Sequence, residues 1–302
     1  MLLTTEQMAE FVASGVLGFE GVVPDALNRR FLREIRQVLN PSPEHLGKAY
    51  ERLLVSNVLP KVAPGTAFSE AIAPNHPLSA IFALPKVKGL ITSLVGERPI
   101  FDHHFLHLTL AQSPDRKAAR AQHNHQDSTI DLRQSFDIQL FYFPSEVTLE
   151  MGGTRFVRGS HLRVVSEAAI ARYQNILGQR QIVCPAGSLY CFHMGLWHGA
   201  AMNQSAQDRV LYKVRLAASE PQVRLWDDRD LNLEADAERP IFWTDSARQG
   251  PIPARLMQLE PWYEYDTGRL ELINRLKLWR YLTGADQADV DYWLSRIENE
   301  QA

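Results

Sequence analysis

Residues 122–127 of this chain read Gln-His-Asn-His-Gln-Asp. Within them His125-Gln126-Asp127 has the form His-x-Asp. On extended backbone, residues i and i+2 point to the same face, so an imidazole and a carboxylate converge on one point. A third ligand is available at His198, in Leu196-Trp197-His198-Gly199-Ala200. Two histidines and one carboxylate on one side of a metal leave the opposite positions open, which is the donor set of non-haem Fe(II) oxygenases. Arg209 stands eleven residues after His198 (209 − 198) and opens the strand-like run Val210 to Leu216. A buried arginine beside such a metal can hold a dicarboxylate through two charge-assisted hydrogen bonds.

The order and spacing of these residues matter more than any one of them, because a lone His-x-Asp is more often a turn or surface feature. Asp127 precedes His198 by 71 positions (198 − 127), and the arginine follows on a strand. Other metal signatures fit less well. A cupin wants His-x-His followed a few residues on by Glu; His123-x-His125 is there, but Ser128, Thr129, Ile130 and Asp131 follow. His-Glu-x-x-His is absent. A zinc hydrolase on the same three ligands stays open, although it gives Arg209 no role. A jelly-roll protein that binds a ligand without redox chemistry is the other alternative. His193 reads as a turn residue and His161, in Gly159-Ser160-His161, as a loop cap.

Between the carboxylate and the distal histidine lies Met151-Gly152-Gly153-Thr154-Arg155-Phe156-Val157-Arg158-Gly159-Ser160-His161. With His-x-Asp before it and the His and Arg after it, the chain resembles the phytanoyl-CoA dioxygenase family of Fe(II)/2-oxoglutarate oxygenases, over about residues 120–216. It departs from the family pattern at Met151 (usually Asn), Arg158 (usually Pro) and Ala200 (often Ser). The resemblance implies Fe(II), 2-oxoglutarate and O2, with His125, Asp127 and His198 on the metal. It puts the distal carboxylate of 2-oxoglutarate on Arg209, with Thr154 and Gln122 adding hydrogen bonds. Candidate substrate contacts are His103, His123, Gln139, Phe141 and Trp197. The implied reaction oxidises, foremost by hydroxylation, an unactivated C–H bond of a small molecule, while 2-oxoglutarate becomes succinate and CO2. Desaturation, epoxidation or rearrangement of a natural-product intermediate is the alternative outcome.

The elements that position these residues follow from pattern. Thr4 and Gln7 form a capping box, and Gly15 closes the first helix. Pro24-Asp25 opens a second, with Leu27, Phe31, Ile35 and Val38 on one face. Residues 44–95 read as short helical pieces broken by prolines. From Pro99 the period becomes two: Ile100 to Ala111 is a strand with Phe101, His103, Phe105, His107 and Thr109 on one face. Further strands are expected at the His-x-Asp stretch, Phe136–Phe143, Arg155–Arg158, Gln181–Cys184 and Ser188–Phe192, with turns about every ten residues. The fold expected is mainly β with flanking helices (α+β), around a double-stranded β-helix, the jelly roll of cupin-like proteins. One catalytic domain is expected over 1–302: a helical covering region at 1–93, the core at 94–222, and a loop with helices at 223–302. Two terminal helices, Leu270–Leu282 and Asp289–Ile297, are expected to pack on the sheet or on a second subunit, which would make a homodimer.

At 302 residues the chain can bury a sizeable core. A net charge of −3 supplies no field for nucleic acid. No apolar run suits a bilayer, and the first residues lack a signal-peptide pattern. Cys184 and Cys191 make no disulfide framework and suit reduced thiols in the cytoplasm.

Overall fold

The structure, a computed structural model, describes residues 1–40, 45–112, 120–127, 136–163, 165–172, 174–220, 223–230, 251–263 and 265–284, with backbone alone at 251, 253 and 265–270. Two antiparallel sheets carry the strands. The larger runs, in spatial order, β1 (Val16–Phe19), β6 (Ser188–His193), β3 (Asp137–Phe143), β8 (Arg209–Ala217) and β2 (Ile100–Thr109). The smaller runs β5 (Arg180–Gln181), β4 (Thr154–Phe156) and β7 (His198–Ala200). Before β2 come α1 (Thr5–Ser14), α2 (Asp25–Val38), α3 (Leu46–Val55), α4 (Phe68–Ala71), α5 (Pro77–Phe82) and α6 (Pro85–Val95). Then α7 (Glu167–Ile170) precedes β5, and α8 (Pro251–Leu256) and α9 (Tyr265–Thr283) follow β8. Among the described residues no helix is long and apolar enough to cross a membrane.

Strands β3 and β8 are central and buried almost throughout, so alternation sends their side chains into two different cores. Ile138, Leu140, Tyr142, Tyr212, Val214 and Leu216 face the helices, in one cluster with Phe31 of α2, Leu90 and Leu94 of α6, and Leu276 and Trp279 of α9. Phe141, Phe143 and Leu211 face the other way, in a cluster with Phe192 of β6 and Phe156 of β4. That second cluster lies between the sheets. Each such aromatic or aliphatic side chain contributes about 1.5–3 kcal/mol on burial. The metal-ligating residues stand at its edge.

The helix signals hold. The Thr4 hydroxyl accepts from Gln7 N–H, the Gln7 side chain accepts from Thr4 N–H, and Gly15 ends α1 with φ 75°. Helix α9 closes at Thr283 before Gly284. Other expectations shift. A bulge in β2 places Phe101 opposite Leu216 and His103 opposite Arg215. Asp102 is the extra residue, so Phe101 joins the helix-facing core and does not share a face with His103. The His-x-Asp stretch is not a continuous strand: His125 makes a single antiparallel bridge to His198. Strand 181–184 shrinks to Arg180–Gln181, with Cys184 bridged alone to Val147. The helix expected at Asp289–Ile297 lies wholly outside the described residues. Both cysteines are free and buried.

His161 and His193 are a structural pair. Their rings lie 4.9 Å apart between α1 and β6. His161 Nε2–H donates to Val12 O at 3.0 Å, and His193 Nδ1 accepts from Gly195 N–H at 3.1 Å. Burial lowers both pKa values, to about 3 for His193. A folded pKa below the unfolded one means stability is full above about pH 6.5 and is lost as pH falls toward the folded value. At pH 5 that loss should be on the order of 2 kcal/mol for His193. Urea melts at pH 7 and pH 5 should show it, and His193→Gln, which has no proton to gain, should reduce the difference by about that amount, leaving the share of the other buried histidines. An equal difference in that variant would assign the acid sensitivity elsewhere.

Candidate metal centre

His198 opens β7, and its backbone pairs on both sides with His125: each N–H donates to the other's carbonyl at 2.9 Å. This close approach needs Gly199. A Cβ there would lie 2.7 Å from His123 O and 2.8 Å from Gln122 O. Each imidazole is oriented from behind. His125 Nδ1–H donates to His123 O and His198 Nδ1–H to Leu196 O, both at 2.9 Å. That leaves each Nε2 as the lone-pair donor, the usual arrangement behind a metal-ligating histidine. Asp127 completes the group, with Oδ1 3.5 Å from His125 Nε2 and Oδ2 3.4 Å from His198 Nε2. Ligand atoms of the three residues lie within 4.8 Å of one another. A divalent ion with bonds of about 2.0–2.2 Å fits among them.

The electrostatics keep Asp127 ionised and favour a proton on His125, which a metal at Nε2 would displace. Burial alone would raise the Asp127 pKa, but hydrogen bonds from His125 and His198 and the Lys213 charge hold it far below the carboxylate range. Burial works against a proton on His125, and its bonds to Asp127 and the His123 carbonyl outweigh burial and raise its pKa.

Period two in β8 puts Arg209, Leu211, Lys213 and Arg215 on the face toward the site. Arg209 is 1% exposed. Its Nε donates to Met151 O at 3.2 Å and its Nη2 to Thr109 Oγ1 at 3.1 Å. Among the described residues it has no carboxylate partner, and burial draws its pKa down to about 10. Leaving a guanidinium buried without a counter-charge costs several kcal/mol, so the position calls for an anion. Thr154, buried on β4, sits opposite Ala200. The Gln122 side chain accepts from Ala200 N–H at 3.2 Å and directs its amide nitrogen to His125 Nε2 at 3.4 Å.

The candidate substrate contacts separate. Phe141 packs its ring 5.6 Å from that of His198. Gln139, 1% exposed, lies on β3 between Phe192 and Arg215, and neither amide atom has a hydrogen-bond partner. His103 faces the same side beside Arg215, bonded to Asp102 at 3.2 Å. The structure does not bring the other two to the site. Trp197 points opposite to His198 and packs with Val157, Ile170 and Trp262. His123 is exposed and contributes its carbonyl. Two neighbours were not singled out as site residues. Lys213 Nζ bonds Asp127 Oδ2 at 2.9 Å. His107 is held neutral, with its pKa lowered to about 3 by burial and then by the Lys213 charge. Both follow from period two in strands that the pattern does reveal.

Comparison with known proteins decides the family. Residues 11–211 match the phytanoyl-CoA dioxygenase (PhyH) family. The chain belongs to the phytanoyl-CoA dioxygenase family. It is therefore an oxidoreductase of the Fe(II)/2-oxoglutarate class, and its convergent His-Asp-His group is the donor set that iron takes in such enzymes. No curated protein matches the chain in sequence. Among solved structures, HygX from Streptomyces hygroscopicus with nickel and 2-oxoglutarate bound is 14% identical, with 72% of this chain and 88% of that one covered and a TM-score of 0.51. HygX with iron bound gives 14%, 72%, 88% and 0.50. EvdMO1 is 18% identical, with 71% of this chain and 50% of that one covered and a TM-score of 0.50. At these identities the likeness is one of fold. The fold of this family member is a mixture of helices and antiparallel sheets.

Proposed function

We propose that this family member hydroxylates an unactivated C–H bond of a small molecule, with His125, Asp127 and His198 holding Fe(II) and Arg209 holding 2-oxoglutarate. One observation carries the reading. Three convergent ligands are reached by Lys213 from the β8 face that also carries Arg209, a buried arginine with no carboxylate partner among the described residues, and a metal-chelating dicarboxylate requires such a pairing. Iron and 2-oxoglutarate, when bound, would supply the oxidising power, with O2 as oxidant and 2-oxoglutarate converted to succinate and CO2. We read the two facing sheets as a jelly roll and residues 1–302 as one catalytic domain built on it.

The chain's own residues hold and orient. The carbonyls of His123 and Leu196 fix the two imidazoles. Thr154 adds a hydrogen bond to the co-substrate. Phe141 keeps water from the metal's edge, and the free amide of Gln139 takes a polar group of the substrate, so that the target C–H bond is held near the metal. A hydrolase on the same ligands leaves Arg209 idle, and a binding protein leaves the open metal face idle. Succinate release under Fe(II), 2-oxoglutarate and O2, against a panel of acyl-CoA esters, amino acids and natural-product intermediates, tests the reading. One panel member should stimulate release and gain one oxygen atom. Metal-dependent hydrolysis of a panel member without succinate would replace this reading with the hydrolase.

A further inference from the structure

We propose that Lys213 is a positioning residue of the iron centre: it pins Asp127 Oδ2 and leaves Oδ1 for the metal. The proposal rests on His125, Asp127 and His198 being the metal ligands. Lys213 Nζ lies 2.9 Å from Asp127 Oδ2. The lysine side chain is 9% exposed and the aspartate side chain 16%. Lys213 sits in the middle of β8, in register with Phe105 of β2 on one side and Phe141 of β3 on the other. It is therefore fixed by two ladders and flanked by aromatic rings.

Nothing about Arg209 requires a second cation four residues along the same face. The neighbouring cation on that face, Arg215, has carboxylates of its own, with Asp137 Oδ2 at 2.6 Å and Asp102 Oδ2 at 3.1 Å. It reaches Asp127 only at the backbone, donating through Nη1 to Asp127 O at 3.2 Å. Backbone and side chain of Asp127 are thus held by two different residues of β8. A carboxylate ligand held by one oxygen is oriented before the metal arrives, and such outer partners typically change metal affinity or activity 10–100-fold when removed. A cation against the carboxylate also draws electron density from it. The carboxylate becomes a weaker donor, and the iron electrons lie lower in energy.

That second effect gives a readout that a merely structural lysine would not move. The anaerobic complex of the protein with Fe(II) and 2-oxoglutarate should show a visible band from charge transfer out of iron into the keto acid. In Lys213→Met the band should move to longer wavelength, because the iron becomes easier to oxidise. Lys213→Arg, which keeps the cation, should leave the band near its wild-type position. Succinate formation in Lys213→Met should fall about tenfold or more in kcat, with KM for 2-oxoglutarate changed little. If Lys213→Met does not fold, Lys213→Gln carries the same test. A wild-type band that stays in place in the uncharged variant overturns the proposal, even if the variant melts at a lower temperature. No band in the wild type overturns the metal-site reading, and this proposal with it.

Discussion

His125→Ala/Asp127→Asn protein should bind no Fe(II) at concentrations that saturate the wild type. Two of three ligands are gone, and His198 alone has no partner donor to close a chelate. The measurement is thermal unfolding under anaerobic conditions with and without metal. A ligand that binds only the folded state stabilises by RT ln(1 + [L]/Kd), about 2.7 kcal/mol at a hundred times Kd. Wild type should show that rise and the variant none. The metal-free variant should also melt below metal-free wild type. Lys213 pairs with Asp127 at 2.9 Å, and removing one partner of a buried pair costs about 3–5 kcal/mol. Full metal occupancy in the variant would refute the assignment of the ligands.

What was legible in the sequence divides along physical lines. Spacing and order singled out His125, Asp127 and His198, whose ligand atoms converge, because metal chemistry restricts both residue type and direction. Period two found the strands that carry Gln139, Phe141 and Arg209. It was blind where the backbone leaves that period. The bulge at Asp102 turned Phe101 to the other core, and nothing in Ile100 to Thr109 marks it. Trp197 failed for the opposite reason: alternation was available, and it places Trp197 on the side opposite to His198, against Val157, Ile170 and Trp262. Lys213 was visible on the arginine's face, but only the three-dimensional approach of Asp127 gives it meaning. Gly199 is a further case. Its need shows only once the His123 carbonyl is seen 2.7 Å from where a Cβ would stand.

Arg209→Ala should weaken 2-oxoglutarate binding far more than it weakens the folded protein. Truncating one partner of a buried, hydrogen-bonded charge pair costs about 2–5 kcal/mol, roughly 30-fold to several-thousand-fold in Kd at 1.4 kcal/mol per decade. The apo protein should lose little. There Arg209 is a buried cation that, among the described residues, has Met151 O and the Thr109 hydroxyl but no carboxylate to satisfy it, and removing such a charge offsets the loss of those two bonds. The signature is therefore a melting temperature close to wild type without co-substrate, and loss of the rise that 2-oxoglutarate produces in wild type. Titration of the metal-loaded protein with 2-oxoglutarate gives the constant directly. Arg209→Lys keeps a cation but not the planar fork that grips both carboxylate oxygens, so it should fall between the two. The apparent constant for the prime substrate should move much less than that for 2-oxoglutarate, because the arginine grips only the co-substrate's distal end. An unchanged 2-oxoglutarate constant in Arg209→Ala would sink the role, and it would pass to the remaining cations of the same strand face, Lys213 and Arg215. Their carboxylate partners at 2.9 Å and 2.6 Å make each a poorer receptor for a free dicarboxylate than an arginine that has none among the described residues.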